Sequence, residues 1–340
     1  MSSLLASDNY STAHPLILEA VNKTNYGYQK SYGSDTESDI LNDNIKDIFG
    51  AKAIIIPTLT GTGSNIISLS SLSDGFKSVI ALNLSHINVD EGGAPEAAGI
   101  KILPIEHRLG KLEHSDINTY INYQKDQHRS QPGIISITQP SEFGRVYSLN
   151  ELADIIEVAK KNNLKTHLDG ARLTNAAVSL GVNLKSLTYD LGFDAISFGA
   201  TKNGAILAES VITFDGELAQ KIVYIRKQRM QLASKLRFIS SQFNAYFKDD
   251  LYLSLASKAN QAAITLKEEL MPFAKLIKIK YPIEANSIFA NLPSNLYATL
   301  PDKLGFYQWD DADNLVRLMT SWSTTSEEIK DFTALLSRSI

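Results

Sequence analysis

Short apolar segments that alternate with helical segments are the feature that most constrains how this sequence can fold. Between residues 53 and 214, each apolar segment is only a few residues long, and amphipathic stretches such as residues 150–162 separate them. Strands that are apolar throughout and separated by helices indicate a mostly parallel sheet with helices on both faces. The predicted strands are residues 53–57, 78–82, 100–104, 133–138, 166–169, 195–198 and 210–214.

The pattern changes after about residue 216. Residues 217–247 have a long helical pattern, either continuous or interrupted, and a second helix is predicted at residues 251–270, before Pro272. Short strands and a last helix follow. The sequence therefore predicts an α/β fold with three parts. They are an N-terminal arm at residues 1–35, a large domain at 36–245 and a small C-terminal α+β domain at 246–340.

Composition excludes several classes of protein. A net charge of −4 argues against a nucleic-acid surface, because binding to the phosphate backbone requires a basic field. The sequence contains no apolar run of about 18 residues, so no membrane span is predicted. The first residues also lack a signal-peptide pattern. The chain has no cysteine, which excludes thiol chemistry and disulfides and fits a cytoplasmic protein. The six histidines form no short metal-binding pair, so no metal site is expected.

A glycine-rich turn between a strand and a helix is the first candidate for ligand binding. Residues 60–65 read TGTGSN. Glycines let the backbone approach a ligand, and the N–H groups at a helix start attract an anion. The alternative is an ordinary turn capped by Ser64. The motif is neither a Walker loop nor GxGxxG, so a Rossmann dehydrogenase is disfavoured.

An acid and a lysine follow two later strands. Asp169 ends one predicted strand, at the sheet edge where α/β proteins bind ligands. Lys202 lies 33 residues further on, in the small-residue turn SFGATKNG. Partial burial there would lower the pKa of the lysine and make its amine nucleophilic. The alternatives are a helix N-cap for Asp169 and an exposed loop position for Lys202.

The order of these three features favours pyridoxal 5′-phosphate (PLP) as a cofactor. An anion loop would hold the phosphate group, and an acid would keep the pyridine nitrogen protonated. A lysine would form the Schiff base with the aldehyde.

Longer motifs resemble the low-specificity L-threonine aldolases of the β-eliminating lyase family, which have the PLP-dependent transferase fold type I of aspartate aminotransferase. The resemblance spans most of the chain, in six ordered segments. They are SDNY at 7–10, YGSD at 32–35, GTGSN at 61–65, the HI at 86–87 with EGGA at 91–94, DGARL at 169–173 with SFGATKNG at 197–204, and VRLMT at 316–320.

This resemblance implies a role for each matching residue. Lys202 would carry PLP, and Asp169 would pair with the pyridinium nitrogen. His86 would stack on the ring and is a candidate for proton transfer. The remaining residues are Gly61 and Thr62 for the phosphate, and Ser7, Arg172 and Arg317 for the substrate carboxylate, with Arg172 also near the cofactor.

One segment departs from the common pattern. Many threonine aldolases have a second active-site histidine in a segment like ENTHN, and the corresponding segment here is TQPSEFG at 138–144. Glu142 stands at the place of that histidine. We therefore expect Glu142 to contribute to the contact with the substrate hydroxyl.

The resemblance also implies a reaction and an assembly. The enzyme would cleave L-threonine or L-allo-threonine to glycine and an aldehyde, through Schiff-base exchange on Lys202 and a quinonoid. The family tends to form a dimer of dimers with the site at the dimer interface, where Tyr32, Arg229 or Lys235 would approach the partner's cofactor. The alternatives are a phenylserine aldolase, another PLP-dependent β-eliminating lyase, and a non-enzymatic protein that senses an amino acid.

Overall fold

A computed structural model describes residues 5–122 and 125–340 of the chain. Its strands are β1 (Ile54–Thr58), β2 (Lys77–Leu82), β3 (Lys101–Ile105), β4 (Gln131–Thr138), β5 (Lys165–Gly170), β6 (Ala195–Gly199), β7 (Glu209–Thr213), β8 (Lys278–Ile279), β9 (Ser287–Asn291), β10 (Tyr307–Asp310) and β11 (Leu315–Met319). Its α-helices are α1 (Pro15–Thr24), α2 (Thr36–Phe49), α3 (Gly61–Leu72), α4 (His86–Val89), α5 (Ala94–Ala97), α6 (His114–Ile121), α7 (Leu149–Lys161), α8 (Leu173–Leu180), α9 (Leu184–Leu187), α10 (Gly216–Gln228), α11 (Arg237–Phe247), α12 (Leu251–Leu270), α13 (Ser294–Tyr297) and α14 (Ser326–Ser339).

Over the described part of the chain, seven strands form the large sheet in the order β1-β7-β6-β5-β4-β2-β3. The pairs from β6 across to β3 are parallel, which confirms the predicted α/β fold with a mostly parallel central sheet. Strand β7 is antiparallel to both β6 and β1. The connection from β6 to β7 is too short for a parallel crossover, which needs about a dozen residues or more.

Helices cover both faces of the large sheet. On one face, Phe49 of α2 and Ile155 of α7 belong to a core that also includes Phe198 of β6. On the other face, Ile67 of α3 and Ile222 of α10 pack with Val211 of β7. The two faces are therefore buried by separate sets of helices, as an apolar parallel sheet requires.

The second sheet is antiparallel and has the order β10-β11-β9-β8 within the described residues. Its core includes Ile288 and Leu318 from the strands, Leu266 from α12 and Ile329 from α14. Strand β10 was not predicted, because a mostly exposed edge strand of four residues is too short to give a clear periodic pattern. This sheet and its helices form the smaller C-terminal α+β part of the fold.

One helical prediction needs correction. Helix α3 begins at Gly61, with Thr60 as its N-cap, so the glycine-rich turn is the first turn of the helix rather than a loop before it. The helical stretch predicted at 217–247 is interrupted: it consists of two helices, separated at a residue of positive φ, Met230. No described helix is long and apolar enough to cross a membrane.

The segment from Leu5 to His14 connects the two sheets. Leu5 packs in the core of the small sheet, and its carbonyl accepts a hydrogen bond from the Met319 N–H at 2.8 Å. At the other end, the His14 N–H donates to the Gly204 carbonyl at 2.8 Å. Gly204 directly follows the turn that contains Lys202.

Candidate active site

The carboxyl ends of the parallel strands border one cavity. Strand pairing aligns Thr138 with Asp169 and Asp169 with Ser197, so these residues lie side by side at the same sheet edge. Five of the predicted site residues line this cavity. The complete lining is Gly61, Thr62, Asn65, His86, Asp169, Ala171, Ser197, Lys202 and Glu209.

The start of α3 provides one wall of the cavity. The Thr60 hydroxyl accepts a hydrogen bond from the Gly63 N–H at 3.0 Å, which caps the helix. Among the described residues, no acceptor is found for the N–H groups of Gly61 and Thr62. Free N–H groups at the start of a 12-residue helix suit an anion such as a phosphate.

Asp169 is held as an ionised acid at the end of β5. One carboxylate oxygen accepts a hydrogen bond from the Ala171 N–H at 3.1 Å, and the other accepts one from the Asn65 amide at 2.9 Å. Burial alone would raise the pKa of Asp169, but the nearby His86 and these hydrogen bonds lower it. Asp169 does not cap the next helix, because the N-cap of α8 is Arg172.

Lys202 lies in a 3-10 turn that follows β6. Burial lowers the pKa of its ammonium, and the positive Arg172 lowers it further, against the opposing charges of Asp8, Asp169 and Glu209. A lysine with a lowered pKa is a better nucleophile toward an aldehyde.

These groups fit PLP. A flat aromatic aldehyde with a phosphate group needs anion donors, an acid for its ring nitrogen and an amine for its carbonyl. The free N–H groups of Gly61 and Thr62, the ionised Asp169 and the amine of Lys202 all border the one cavity. The His86 side chain, which is 37% exposed, also lines it.

Glu142 is a buried carboxyl beside His86. One of its oxygens accepts hydrogen bonds from the Thr138 hydroxyl at 2.7 Å and from the His86 backbone N–H at 3.1 Å. The other oxygen has no partner among the described residues. Burial raises the pKa of Glu142 to about 7, so both its protonated and ionised forms are present near neutral pH.

Two arginines lie near the cavity, and they differ in how many of their guanidinium N–H groups are already hydrogen-bonded. Arg172 donates from Nε and Nη2 to the buried Asp8 carboxylate, at 2.6 and 2.9 Å. Arg317 donates from Nη2 to the Ala6 carbonyl at 3.2 Å, and its Nε has no partner among the described residues. Burial lowers the pKa of Arg317 to about 10. Arg317 therefore has more donors left for a carboxylate than Arg172 has.

Three other predicted residues, Ser7, Arg229 and Tyr32, do not line the cavity. Ser7 is the N-cap of a 3-10 turn, and its hydroxyl accepts from the Asn9 N–H at 3.2 Å. The Nη2 group of Arg229 donates a hydrogen bond to the Ala98 carbonyl of the same chain at 3.4 Å. Tyr32 lies under the Lys227 ammonium, which is 5.2 Å from its ring centre.

Sequence reasoning gave no role to three polar residues of the site. Asn65 and Glu209 line the cavity, and Glu91 contacts His86. Glu209 pairs with Gly199 across β7 and β6, and burial raises the pKa of its carboxyl. An acid in an otherwise apolar strand was the available signal for Glu209.

Comparisons with known proteins agree with one another. Residues 5–285 match the family described as β-eliminating lyase. A low specificity L-threonine aldolase of a Pseudomonas species is 34% identical over 336 residues, covering 98% of this chain and 96% of that protein. A solved structure of Leishmania major threonine aldolase has a TM-score of 0.91 at 29% identity, covering 98% of each chain.

A more distant structure shares the fold alone. SPT solved with PLP has a TM-score of 0.75 at 13% identity, covering 98% of this chain and 86% of that one. The fold is the PLP-dependent transferase fold type I.

Proposed function

This chain belongs to the β-eliminating lyase family, and from that membership we propose that it is a PLP-dependent aldolase of β-hydroxy-α-amino acids. It cleaves L-threonine and L-allo-threonine to glycine and acetaldehyde. The relatives named as low specificity L-threonine aldolases support this substrate class. The observation that carries the proposal is that Lys202, Asp169 and the free N–H groups of α3 border a single cavity.

Each end of the cavity would hold a different part of the cofactor. The N–H groups of Gly61 and Thr62 would bind the phosphate, Asp169 would face the ring nitrogen, and Lys202 would hold the aldehyde carbon. His86 would stack on the ring. When bound, PLP supplies an electron sink that takes up the electron pair of the Cα–Cβ bond as this bond breaks.

The chain's own residues orient the substrate. Arg317 binds the carboxylate with its free guanidinium donors, and Arg172 and Ser7 complete this contact. A fixed carboxylate decides which substituent of Cα lies in position to leave. Because Trp309 and Tyr307 stack on Arg317, with ring centres 5.2 and 5.0 Å from its guanidinium carbon, the guanidinium is held in place.

Glu142 contacts the substrate hydroxyl. Its free oxygen and its pKa of about 7 let it accept the hydroxyl proton as the bond between Cα and Cβ breaks and the aldehyde forms. His86, whose backbone N–H anchors Glu142, is the second candidate for this proton. Protonation at Cα then yields glycine.

The lysine is the decisive test. Replacing Lys202 with Ala should remove the yellow absorbance of the lysine-bound cofactor and reduce glycine formation from threonine by at least about a thousandfold. Lys161→Ala, which changes an exposed lysine of α7, should alter neither. Yellow protein with a reducible cofactor linkage in the Lys202 variant would overturn the proposal.

Product analysis separates this aldolase from related lyases. Acetaldehyde and glycine from threonine, in equal amounts, support the proposed reaction. Pyruvate and ammonia from a β-substituted amino acid, without aldehyde, would instead indicate a β-eliminating lyase with the same cofactor site.

We also propose that the chain forms a homo-oligomer, a dimer of dimers with the active site at the dimer interface. Tyr26, Tyr28 and Met230 are more than 80% exposed, and large apolar surface of this kind is typically buried between subunits. Tyr32 and Lys235 are exposed and would lie near the partner's cofactor.

A further inference from the structure

Four side chains from three segments of the chain form a continuous polar cluster in the wall of the cavity. They are Asn65 of α3, His86 at the start of α4, Glu91 just after α4, and Asp169 at the end of β5. Asn65, Glu91 and Asp169 are at most 8% exposed. Their hydrogen bonds offset part of the cost of burying these polar groups, and Asn65 Oδ1 and Glu91 Oε2 have no partner among the described residues.

Asn65 joins two carboxylates. Its amide nitrogen donates to Glu91 Oε1 at 2.8 Å and to Asp169 Oδ2 at 2.9 Å. A side-chain amide nitrogen carries two hydrogens, so it can make both bonds at once. Two buried acids repel each other, and the neutral amide links them without adding a charge.

Glu91 binds His86 with the same oxygen that accepts from Asn65. His86 Nδ1 lies 2.9 Å from Glu91 Oε1. The Glu91 side chain is fully buried, whereas the His86 side chain is 37% exposed. The ring therefore reaches into the cavity while one of its nitrogens is tethered to the protein interior.

Other charges also act on His86. Asp169 and Lys202 line the same cavity, and Glu142 accepts a hydrogen bond from the His86 backbone N–H. The hydrogen bond to Glu91 is the main reason that the pKa of His86 is raised, whereas burial and Lys202 lower it.

We propose that Glu91 and Asn65 are positioning residues for the cofactor site. Glu91 holds the His86 ring in one orientation with a proton on Nδ1, and Asn65 ties this pair to Asp169. The inference rests on the proposed function, because it assumes that His86 stacks on the face of the PLP ring and that Asp169 contacts the ring nitrogen. A displacement of Asp169 would then reach His86 through three hydrogen bonds.

The first test measures the protonation of His86 in protein without cofactor. NMR titration of ¹³C-labelled histidine, assigned with His86→Gln, should give a lower His86 pKa in Glu91→Gln than in the unmodified protein, because the hydrogen bond to Glu91 is the main reason that this pKa is raised. Glu284→Gln is the matched control, because it removes a partly buried carboxylate that pairs with Arg145 instead. An unchanged His86 titration in Glu91→Gln would overturn the role given to Glu91.

The second test measures PLP binding by absorbance titration. Asn65→Asp replaces the bridging donor with a third carboxylate, so the dissociation constant for PLP should rise by about tenfold or more. Asn65→Ala should show a smaller rise together with a shifted His86 titration. Asn175→Asp is the matched control, because Asn175 is equally buried but pairs with Asn260 away from the cavity.

The outcomes distinguish this inference from the function on which it rests. If Asn65→Asp binds PLP like the unmodified protein and its His86 titration is unchanged, the bridging role of Asn65 is wrong. If the unmodified protein binds no PLP, the proposed function fails, and the histidine titration still decides whether Glu91 and Asn65 control His86.

Discussion

Glu142 shows how one residue can depart from a familiar pattern and keep a chemical role. Its segment lacks the histidine expected from related sequences, and it places a carboxyl beside His86. Burial raises the pKa of that carboxyl from 4.5 to about 7, which is close to the ordinary pKa of a histidine. The glutamate can therefore exchange a proton near neutral pH as a histidine would.

The raised pKa makes a prediction about stability. Because the folded protein binds the Glu142 proton more tightly than the unfolded chain, the contribution of Glu142 is full below pH 4.5 and is lost as the pH rises through about 7. The free energy of unfolding of Glu142→Gln, compared with that of the unmodified protein, should therefore increase by up to about 3 kcal/mol when the pH is raised from 4.5 to 8. Urea unfolding of both cofactor-free proteins at the two pH values measures this gain, and a difference independent of pH would contradict it.

The absence of a side chain at Gly199 leaves room for the carboxylate of Glu209. A Cβ atom at residue 199 would lie 2.2 Å from a carboxylate oxygen of Glu209, so Gly199→Ala should push that side chain into the cavity. We expect a loss of about 1–3 kcal/mol in the free energy of unfolding and weaker PLP binding. Absorbance titration and urea unfolding measure the two effects. Gly75→Ala, where a Cβ meets nothing within 4 Å, should be nearly neutral in both.

At the scale of elements, the sequence predicted what depends on local periodicity. The strands of the large sheet and helix α7 have strong apolar patterns, and each was predicted within a few residues. The reversal of β7 depends on the length of one connection, and the start of α3 depends on capping by Thr60. These two features lie outside hydrophobic periodicity.

The site was predictable where its residues fall in short motifs. Gly61, Thr62, His86, Asp169 and Lys202 line one cavity, as expected from their motifs. The bridge from Asn65 to Asp169 joins residues 104 positions apart, and the ion pair of Asp8 with Arg172 joins residues 164 positions apart. Contacts between distant segments leave no periodic signal in the sequence, so they required the fold.

Helix α7 offers a test of local structure. The Ser148 hydroxyl caps it by accepting a hydrogen bond from the Glu151 N–H, and the Glu151 carboxylate accepts one from the Ser148 N–H. Ser148→Ala should lower the free energy of unfolding by about 1 kcal/mol without changing PLP affinity, because α7 does not border the cavity. Urea unfolding measures the loss. Ser339→Ala at the end of α14, whose hydroxyl contacts only the Leu335 carbonyl among the described residues, should change stability by much less.

At the scale of the whole molecule, assembly and cofactor binding should be linked. One chain has a mass of 37.4 kDa, and light scattering after gel filtration should give a mass of two or four chains. If the partner completes the site, Tyr26→Ser together with Tyr28→Ser should lower both the measured mass and PLP affinity, since these exposed rings would lie between subunits. Tyr224→Ser is the control for an exposed tyrosine elsewhere, on α10. A monomer with full PLP affinity would contradict the proposed interface.

The segment from Leu5 to His14 has a practical consequence for enzyme engineering. It fixes Arg317 through the Ala6 carbonyl, Arg172 through Asp8, and the turn after Lys202 through His14. A random-mutagenesis library confined to these ten positions would therefore change carboxylate capture and lysine placement together. Selections for new aldehyde acceptors should keep Asp8 constant and vary the positions around it.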